Sequence, residues 1–371
     1  MRILLALNSF KGSCTSIEAN ESVAKGILKS HPDYSITSFP VCDGGDGSLD
    51  ALKYHLGYKK IWAHTVDALG IPIYTYYLID EKNHIAYIEM AKASGLAVLS
   101  NKESSIFDRN TVGTGLLINH AIEKGVKKIV LLIGGSATND AGLGILSGMG
   151  YKFINKKGNE VQSLPGNLGM ICTILPPGSN WIQKIKFEVW TDVLNPMTGK
   201  DGAVAVYSAQ KGANYRDRKR LENQMIKFHD FFLHQYKIKL NSIPGTGAAG
   251  GIAAGMIPLL NANIFHGTKK LFELFKLEST IKNHDCIITG EGRIDHQSAY
   301  GKLIKGIVDL SKKHNKNIIG VCGKNDLDTN DLKKLGLKKV YSIVEIAQNL
   351  QDAIRHSQRY LFTLGVQIDF G

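Results

Sequence analysis

The chain has 371 residues, 43% hydrophobic and 21% charged, an ordinary globular composition in a length beyond what one core usually serves, so two domains are expected. No apolar run approaches the ~20 residues of a membrane span, and the opening MRILLALNSF carries no small-residue cleavage site, so a cytoplasmic protein without a signal peptide is expected. The net charge of +12 comes from dispersed basic residues without interleaved aromatics, which argues against nucleic acid as a partner.

The first sixty residues read β-α-β-α. A strand Ile3–Leu7 leads through a loop into a helix capped by Thr15 and Glu18, with an apolar face of Ile17, Val23, Ala24, Ile27 and Leu28. A strand over 36–41 follows, and Asp43-Gly-Gly-Asp-Gly47 opens a second helix. The stretches 62–66, 73–79 and 85–90 read as an antiparallel meander. A helix over 113–124 precedes the segment 127–150, KKIVLLIGGSATNDAGLGILSGMG, which runs from an apolar strand through a polar glycine turn into a helix. Backbone N–H groups at such a helix start favour an anion, and Thr138, Asn139 or Asp140 equally serves as a simple cap; both readings stand at this point. A loop over 164–179 and a strand over 187–190 come next. Arg216–Arg220 begins an amphipathic helix (Leu221, Met225, Phe228, Phe232) whose charges form a solvated face.

Strands over 286–289, 318–322 and 340–344 alternate with helices and restore the doubly wound pattern of the N-terminus. The fold expected is α/β with two domains. Residues 1–66 plus 286–371 form a Rossmann- or flavodoxin-like parallel-sheet domain, interrupted by a mixed α/β domain over 67–285, with the active site in the cleft between them.

Four glycine-and-acid turns stand at predicted strand ends: DGGDG (43–47), GGSATND (134–140), TDVLNP (191–196) and GEGRID (290–295). Strand carboxyl ends line the ligand crevice of open α/β sheets, and carboxylates placed there suit Mg²⁺ or a general base. Lys11, Lys211, Arg293 and Lys302 lie beside glycines in loops and can balance phosphate charge. The five cysteines are odd in number and contain no Cys-x-x-Cys pair, so neither a disulfide framework nor a zinc site is expected. No Walker-type P-loop exists. Gly245-Thr-Gly-Ala-Ala-Gly250 matches Gly-x-Gly-x-x-Gly, but no clear strand precedes it and no acid follows at the ribose-binding distance, so a glycine-rich loop that lets backbone approach an anion is preferred to an NAD site.

Taken together, SFKGS (9–13), CDGGDGS (42–48), IEMAKASGL (88–96), GTG (113–115), GGSATND, TDVLNP, QKGA (210–213), GTGAAGG (245–251) and GEGRIDHQSAYGK (290–302) resemble, over essentially the whole length, the bacterial glycerate kinases that phosphorylate D-glycerate with ATP. The resemblance implies transfer of the γ-phosphoryl of MgATP to a glycerate hydroxyl, usually giving 2-phosphoglycerate. Asn8 stands where the family's loop has Asp, Val112 where an aromatic is common, and Tyr207-Ser-Ala where Phe-Gly-Pro is usual.

On this reading Lys11, Lys211, Arg293 and Lys302 divide between the glycerate carboxylate and the phosphates, with Arg293 as the carboxylate clamp. Asp192 or Asp295 is the general base, Asp43, Asp46 and Asp140 hold Mg²⁺ or orient lysines, and Asn139 and Asn195 position hydroxyls. Ser9, Ser136, Gly247, Gly250 and Glu291 complete the binding set. A non-catalytic hydroxy-acid binder and an NAD-dependent hydroxy-acid dehydrogenase are the alternatives.

Overall fold

Residues 1–178, 182–295 and 302–371 are described by a computed structural model, apart from the side chains of Gln183 and Lys302. The HQSAYG part of the GEGRIDHQSAYGK motif and the Lys302 side chain therefore lie outside the described residues. In chain order the first strands are β1 (Arg2–Leu7), β2 (Ser35–Ser38), β3 (Lys59–Val66), β4 (Pro72–Asp80), β5 (Ile85–Glu89), β6 (Lys128–Leu132) and β7 (Lys152–Ile154). The later ones are β8 (Thr173–Leu175), β9 (Lys186–Trp190), β10 (Asn263–Phe265), β11 (Cys286–Ile294), β12 (Asn317–Asn325) and β13 (Lys339–Ser342).

The chain divides into two compact units, 1–43 with 50–57 and 268–371, and 44–49 with 58–267. The expected inserted segment was 67–285. The second unit takes in β3 as well, because β3 pairs along its whole length with β4, and it ends at Gly267, where the helix Gly267–Phe275 begins.

The first unit contains an all-parallel sheet in the order β13-β12-β11-β1-β2, so strands from both chain ends share one sheet as expected. Ile3, Leu5 and Leu7 are fully buried against Val23 and Ile27 of the helix Ser16–Ser30 and Leu361 of the helix Ser357–Gln367. The first of these helices starts with the predicted capping box: Glu18 N–H donates to Thr15 Oγ1 and Thr15 N–H to Glu18 Oε2.

The second unit holds a mixed sheet in the order β10-β9-β6-β5-β4-β3, antiparallel from β3 to β5 and parallel from β5 to β10. A small antiparallel pair joins β7 to β8, and β8 lies within the stretch 164–179 expected as loop. Leu221, Met225, Phe228 and Phe232 of the helix Tyr215–Tyr236 are all fully buried, and Arg216, Lys219 and Arg220 lie exposed, as the periodicity required. All five cysteines are free, and all but Cys172 are buried. No described helix is long and apolar enough to cross a membrane.

Candidate active site

The polar turn after β6 differs from its expected form. The helix that follows is the six-residue segment Leu143–Gly148, and its N-cap is Gly142 rather than a polar residue of the turn. Asp140 is completely buried and accepts hydrogen bonds from Thr111 N–H (2.8 Å), Thr111 Oγ1 (2.7 Å), Gly142 N–H (3.3 Å) and Gly144 N–H (3.0 Å). The amides at this helix start are thus bound by the protein's own carboxylate, which overturns the reading of the turn as a helix-terminus anion site. Burial holds the Asp140 carboxyl above its usual range, and these donors pull it back.

Lys211 supplies the charge that this turn needs. Its side chain is 3% exposed and donates to Ser136 Oγ and to the Thr138 carbonyl, each at 2.6 Å. Desolvation lowers its ammonium from 10.5 to about 7, against an upward pull from Asp140 and a further downward push from Arg109. Beside it, Asn139 is fully buried with neither side-chain polar atom partnered, and the Thr138 hydroxyl is likewise unpartnered. Buried amides are almost always satisfied, so these groups call for a polar partner, water or ligand. Arg109, invisible to motif reading, is 2% exposed and donates to the Lys211 carbonyl (2.8 Å) and to the Lys102 carbonyl (3.2 Å). It fixes the backbone that carries Lys211.

Residues 44–49 of the DGGDGS loop pack on the same turn. Gly134 N–H donates to the Gly44 carbonyl (3.1 Å), and a Cβ on Gly135 would stand 2.8 Å from Asp46 Oδ1. Glu89, at the end of β5, is 1% exposed and accepts from Gly47 N–H (3.2 Å) and Leu49 N–H (3.0 Å). Burial raises its carboxyl from 4.5 to about 7; Lys92 and the two amides oppose this, and Asp46 adds to it. Motif reading gave Glu89 no role, because its acceptor function depends on amides forty residues away.

GTGAAGG joins from the other side. Gly247 N–H donates to the Asn195 carbonyl (2.9 Å), and Gly250 O accepts from Ala141 N–H (3.1 Å). Gly250 has φ +78°, and a Cβ there would lie 2.1 Å from the Thr138 carbonyl, so only glycine fits. Ala141 and Ala249 also take left-handed backbone, at φ 53° each, which stores strain on both sides of this contact. Gly250→Ala is expected to destabilise the protein by about 3 kcal/mol. A denaturant titration measures it, and a change under about 0.5 kcal/mol would contradict the packing argument.

In TDVLNP, Asn195 braces the loop: its amide donates to the Asp201 carbonyl (2.7 Å) and its Oδ1 accepts from the Tyr207 hydroxyl (2.8 Å). The departure Tyr207 therefore has a partner of its own. Asp192 lies 2.6 Å from His266 Nδ1, an ion pair once the ring is protonated. The two residues follow the adjacent parallel strands β9 and β10, a proximity the sequence separation of 74 positions concealed.

The first unit carries its own set. Asn8 N–H donates to the Gly290 carbonyl (2.8 Å) and Asn8 Oδ1 accepts from Ser9 N–H (2.8 Å), so the residue in place of the family Asp shapes the loop. Ser9 Oγ is buried without a partner, and Lys11 is exposed. GEGRID is not a turn at a strand end. Its first five residues continue β11 to Ile294, because Gly290 lets Val321 O approach to 1.6 Å of where a Cβ would sit and so keeps β12 paired. Arg293 projects from this extension, largely exposed. Its Nε donates to Asp326 Oδ2 (2.6 Å) and lies 3.7 Å from Asp295 Oδ2, while Lys324 pairs with Asp326 at 2.8 Å. Those ion pairs hold the guanidinium in place, and Asp326 was not foreseen. Glu291 stands on the same extension, half-buried.

The residues expected to hold Mg²⁺ fit it poorly as a set. Asp140 is saturated by four donors, and no cluster of three or more His, Cys, Asp or Glu side chains suited to a metal exists among the described residues. Asp43 and Asp46, both half-buried, are the carboxylates left from that set.

Comparison with known proteins is decisive at this point, because residues 3–369 match the model of the glycerate kinase family. The chain belongs to the glycerate kinase family. It is 33% identical to the glycerate kinase of Bacillus subtilis (strain 168) over 97% of this chain and 95% of that protein. Its identity to the glycerate 2-kinase of Escherichia coli (strain K12) is also 33%, over 96% and 93%. A crystal structure titled putative glycerate kinase 2, from Salmonella typhimurium LT2, superposes with a TM-score of 0.80 at 30% identity, covering 99% of this chain and 96% of that one. As a glycerate kinase family member the chain is a phosphotransferase with an alcohol group as acceptor, and its α/β fold is the family's.

Proposed function

We propose that the protein transfers the γ-phosphoryl of ATP to the 2-hydroxyl of D-glycerate, giving 2-phosphoglycerate. The observation that carries the reading is the buried Lys211 beside the unpartnered Asn139 and Thr138 side chains, in a turn joined to three other family motifs. Phosphoryl transfer asks for positioning and charge neutralisation. Lys211 answers the second need at little reorganisation cost, and the Asn139 amide offers both a donor and an acceptor to an alcohol or carboxylate. Lys11, Arg293 and Lys302 are the further cations proposed for the glycerate carboxylate and the phosphates.

Asp192 is the preferred general base because His266 holds its carboxylate in place; Asp295 is the second candidate. The metal that accompanies ATP would screen phosphate charge, with phosphate oxygens and water as its main ligands and at most Asp43 or Asp46 from the protein. Asp140 is withdrawn from that role.

Glycerate-dependent ADP release tests the activity, and a phosphorus NMR spectrum of the product decides between the 2- and 3-hydroxyls. Glycerate binding without ADP release would favour a non-catalytic binder, and a nicotinamide absorbance change a dehydrogenase. Asp192→Asn is expected to lower kcat about 100-fold with the thermal transition preserved, and Asp295→Asn by less. Near-normal kcat in both variants would remove both as base.

A further inference from the structure

Beside β10 lies an open-mouthed pocket of about 440 Å³ whose walls include Leu194, Ile243, Pro244, Ile257, Ile264 and Phe265, with Thr191, Asn263 and His266 as its polar lining. We propose that this pocket receives the purine base of the nucleoside triphosphate, an inference that rests on the kinase reading above.

Chemistry of the walls comes first. A purine has two apolar faces and one hydrogen-bonding edge, and sites for such ligands are mostly apolar with a few placed polar groups. The pocket offers aliphatic and aromatic side chains for the faces. For the edge it offers backbone: among the described residues β10 is the last strand of its sheet and pairs with β9 alone. Thr191 N–H donates to the Phe265 carbonyl at 3.0 Å, so Phe265 turns toward β9. The alternation along a strand then turns the N–H and C=O of Ile264 to the outer edge, as a donor and acceptor pair of fixed spacing.

Leu194 is the second observation. It sits in TDVLNP with 62% of its surface exposed, an unusual position for a large apolar side chain in a tightly braced loop. Covering it against the face of a base removes that apolar surface from water.

Continuity is the third. Ile243 and Pro244 lead directly into Gly245, whose Cβ position lies 3.2 Å from the Val193 carbonyl, and Gly247 packs on Pro196. A nucleotide with its base in the pocket leaves it at Thr191 and His266, where β9 and β10 end and the TDVLNP and GTGAAGG loops meet. Phosphates are expected at strand carboxyl ends of this kind.

Two variants test the placement. Ile257→Trp fills the pocket, and is expected to raise the KM for ATP more than 10-fold while the KM for glycerate stays within about twofold. Leu194→Ala, at an exposed position that cannot unfold the chain, is expected to weaken ADP binding about threefold by calorimetry. ADP affinity unchanged in both variants, or ATP and glycerate KM values rising together, would overturn the pocket. Failure of the kinase reading looks different: the wild type would release no ADP with glycerate. ADP binding to the wild type that is lost in Ile257→Trp would still support the pocket, and no ADP binding to the wild type would overturn it.

Discussion

Lys211→Met is expected to reduce kcat/KM for glycerate and ATP about 1,000-fold while leaving the thermal transition close to that of the wild type. The two halves of this expectation have different origins. Loss of activity follows because a preorganised charge in a dry site is worth more to a developing negative charge than any solvated lysine, and single donors of this kind reach about 1,000-fold. Retention of stability follows because the ammonium is expensive to bury, and a methionine of similar length removes that cost along with the bonds to Ser136 and Thr138. Steady-state kinetics and calorimetry on one preparation give both numbers. Wild-type kinetics would exclude Lys211 from the machinery, and a collapsed fold would make it a structural brace. A related measurement concerns protons. With its ammonium lowered to about 7, Lys211 is mostly neutral at pH 8, and an anion bound beside it favours the charged form. Anion binding at pH 8 is thus expected to take up a proton, seen as a dependence of binding enthalpy on the buffer's ionisation enthalpy.

Stability against unfolding is expected to pass through a minimum near pH 7. Glu89 is raised from 4.5 to about 7 in the folded protein, so its contribution is fully present below pH 4.5 and is lost as pH rises through 7. At 1.36 kcal/mol per pH unit, that loss is roughly 3 kcal/mol. Lys211 runs the other way. Lowered from 10.5 to about 7, it leaves the unfolded chain holding more protons between those values, so stability rises with pH across that window by roughly 5 kcal/mol. Glu89→Gln should flatten the acidic limb and Lys211→Met the alkaline limb, each leaving the other in place. Urea titrations at closely spaced pH values between 4 and 10 check this, and a maximum at pH 7 in the wild type would refute both buried charges.

The stability minimum and the catalytic machinery depend on residues that the sequence shows unequally. The helix Tyr215–Tyr236 and the capping box at Thr15 were legible because their determinants lie within one or two turns of chain. The parallel sheet of the two chain ends was legible from strand-helix alternation. Partners far apart in sequence were not: Glu89 with Gly47 and Leu49, Arg109 with the Lys211 carbonyl, Asp192 with His266, and Arg293 with Asp326. Asp140 shows the same limit from the other side. Its residue type and position beside glycines suited a metal or a cap, and only its burial and its four donors reveal a clamp. GEGRID was misread as a turn because glycine marks both turns and close strand contact, and the sequence alone does not say which.

The free cysteines set the terms for chemical work on this enzyme. Desolvation pushes the Cys14 thiol up, Cys286 to about 11 and Cys322 to about 12, and thiolate is the reactive form. Those three are therefore shielded from maleimides and mild oxidants at neutral pH by both access and ionisation. Cys172, next to β8 and outside every motif, is the one described cysteine that is not buried. A reporter dye attached there would leave the four buried cysteines, Cys42 of the CDGGDGS loop among them, in place.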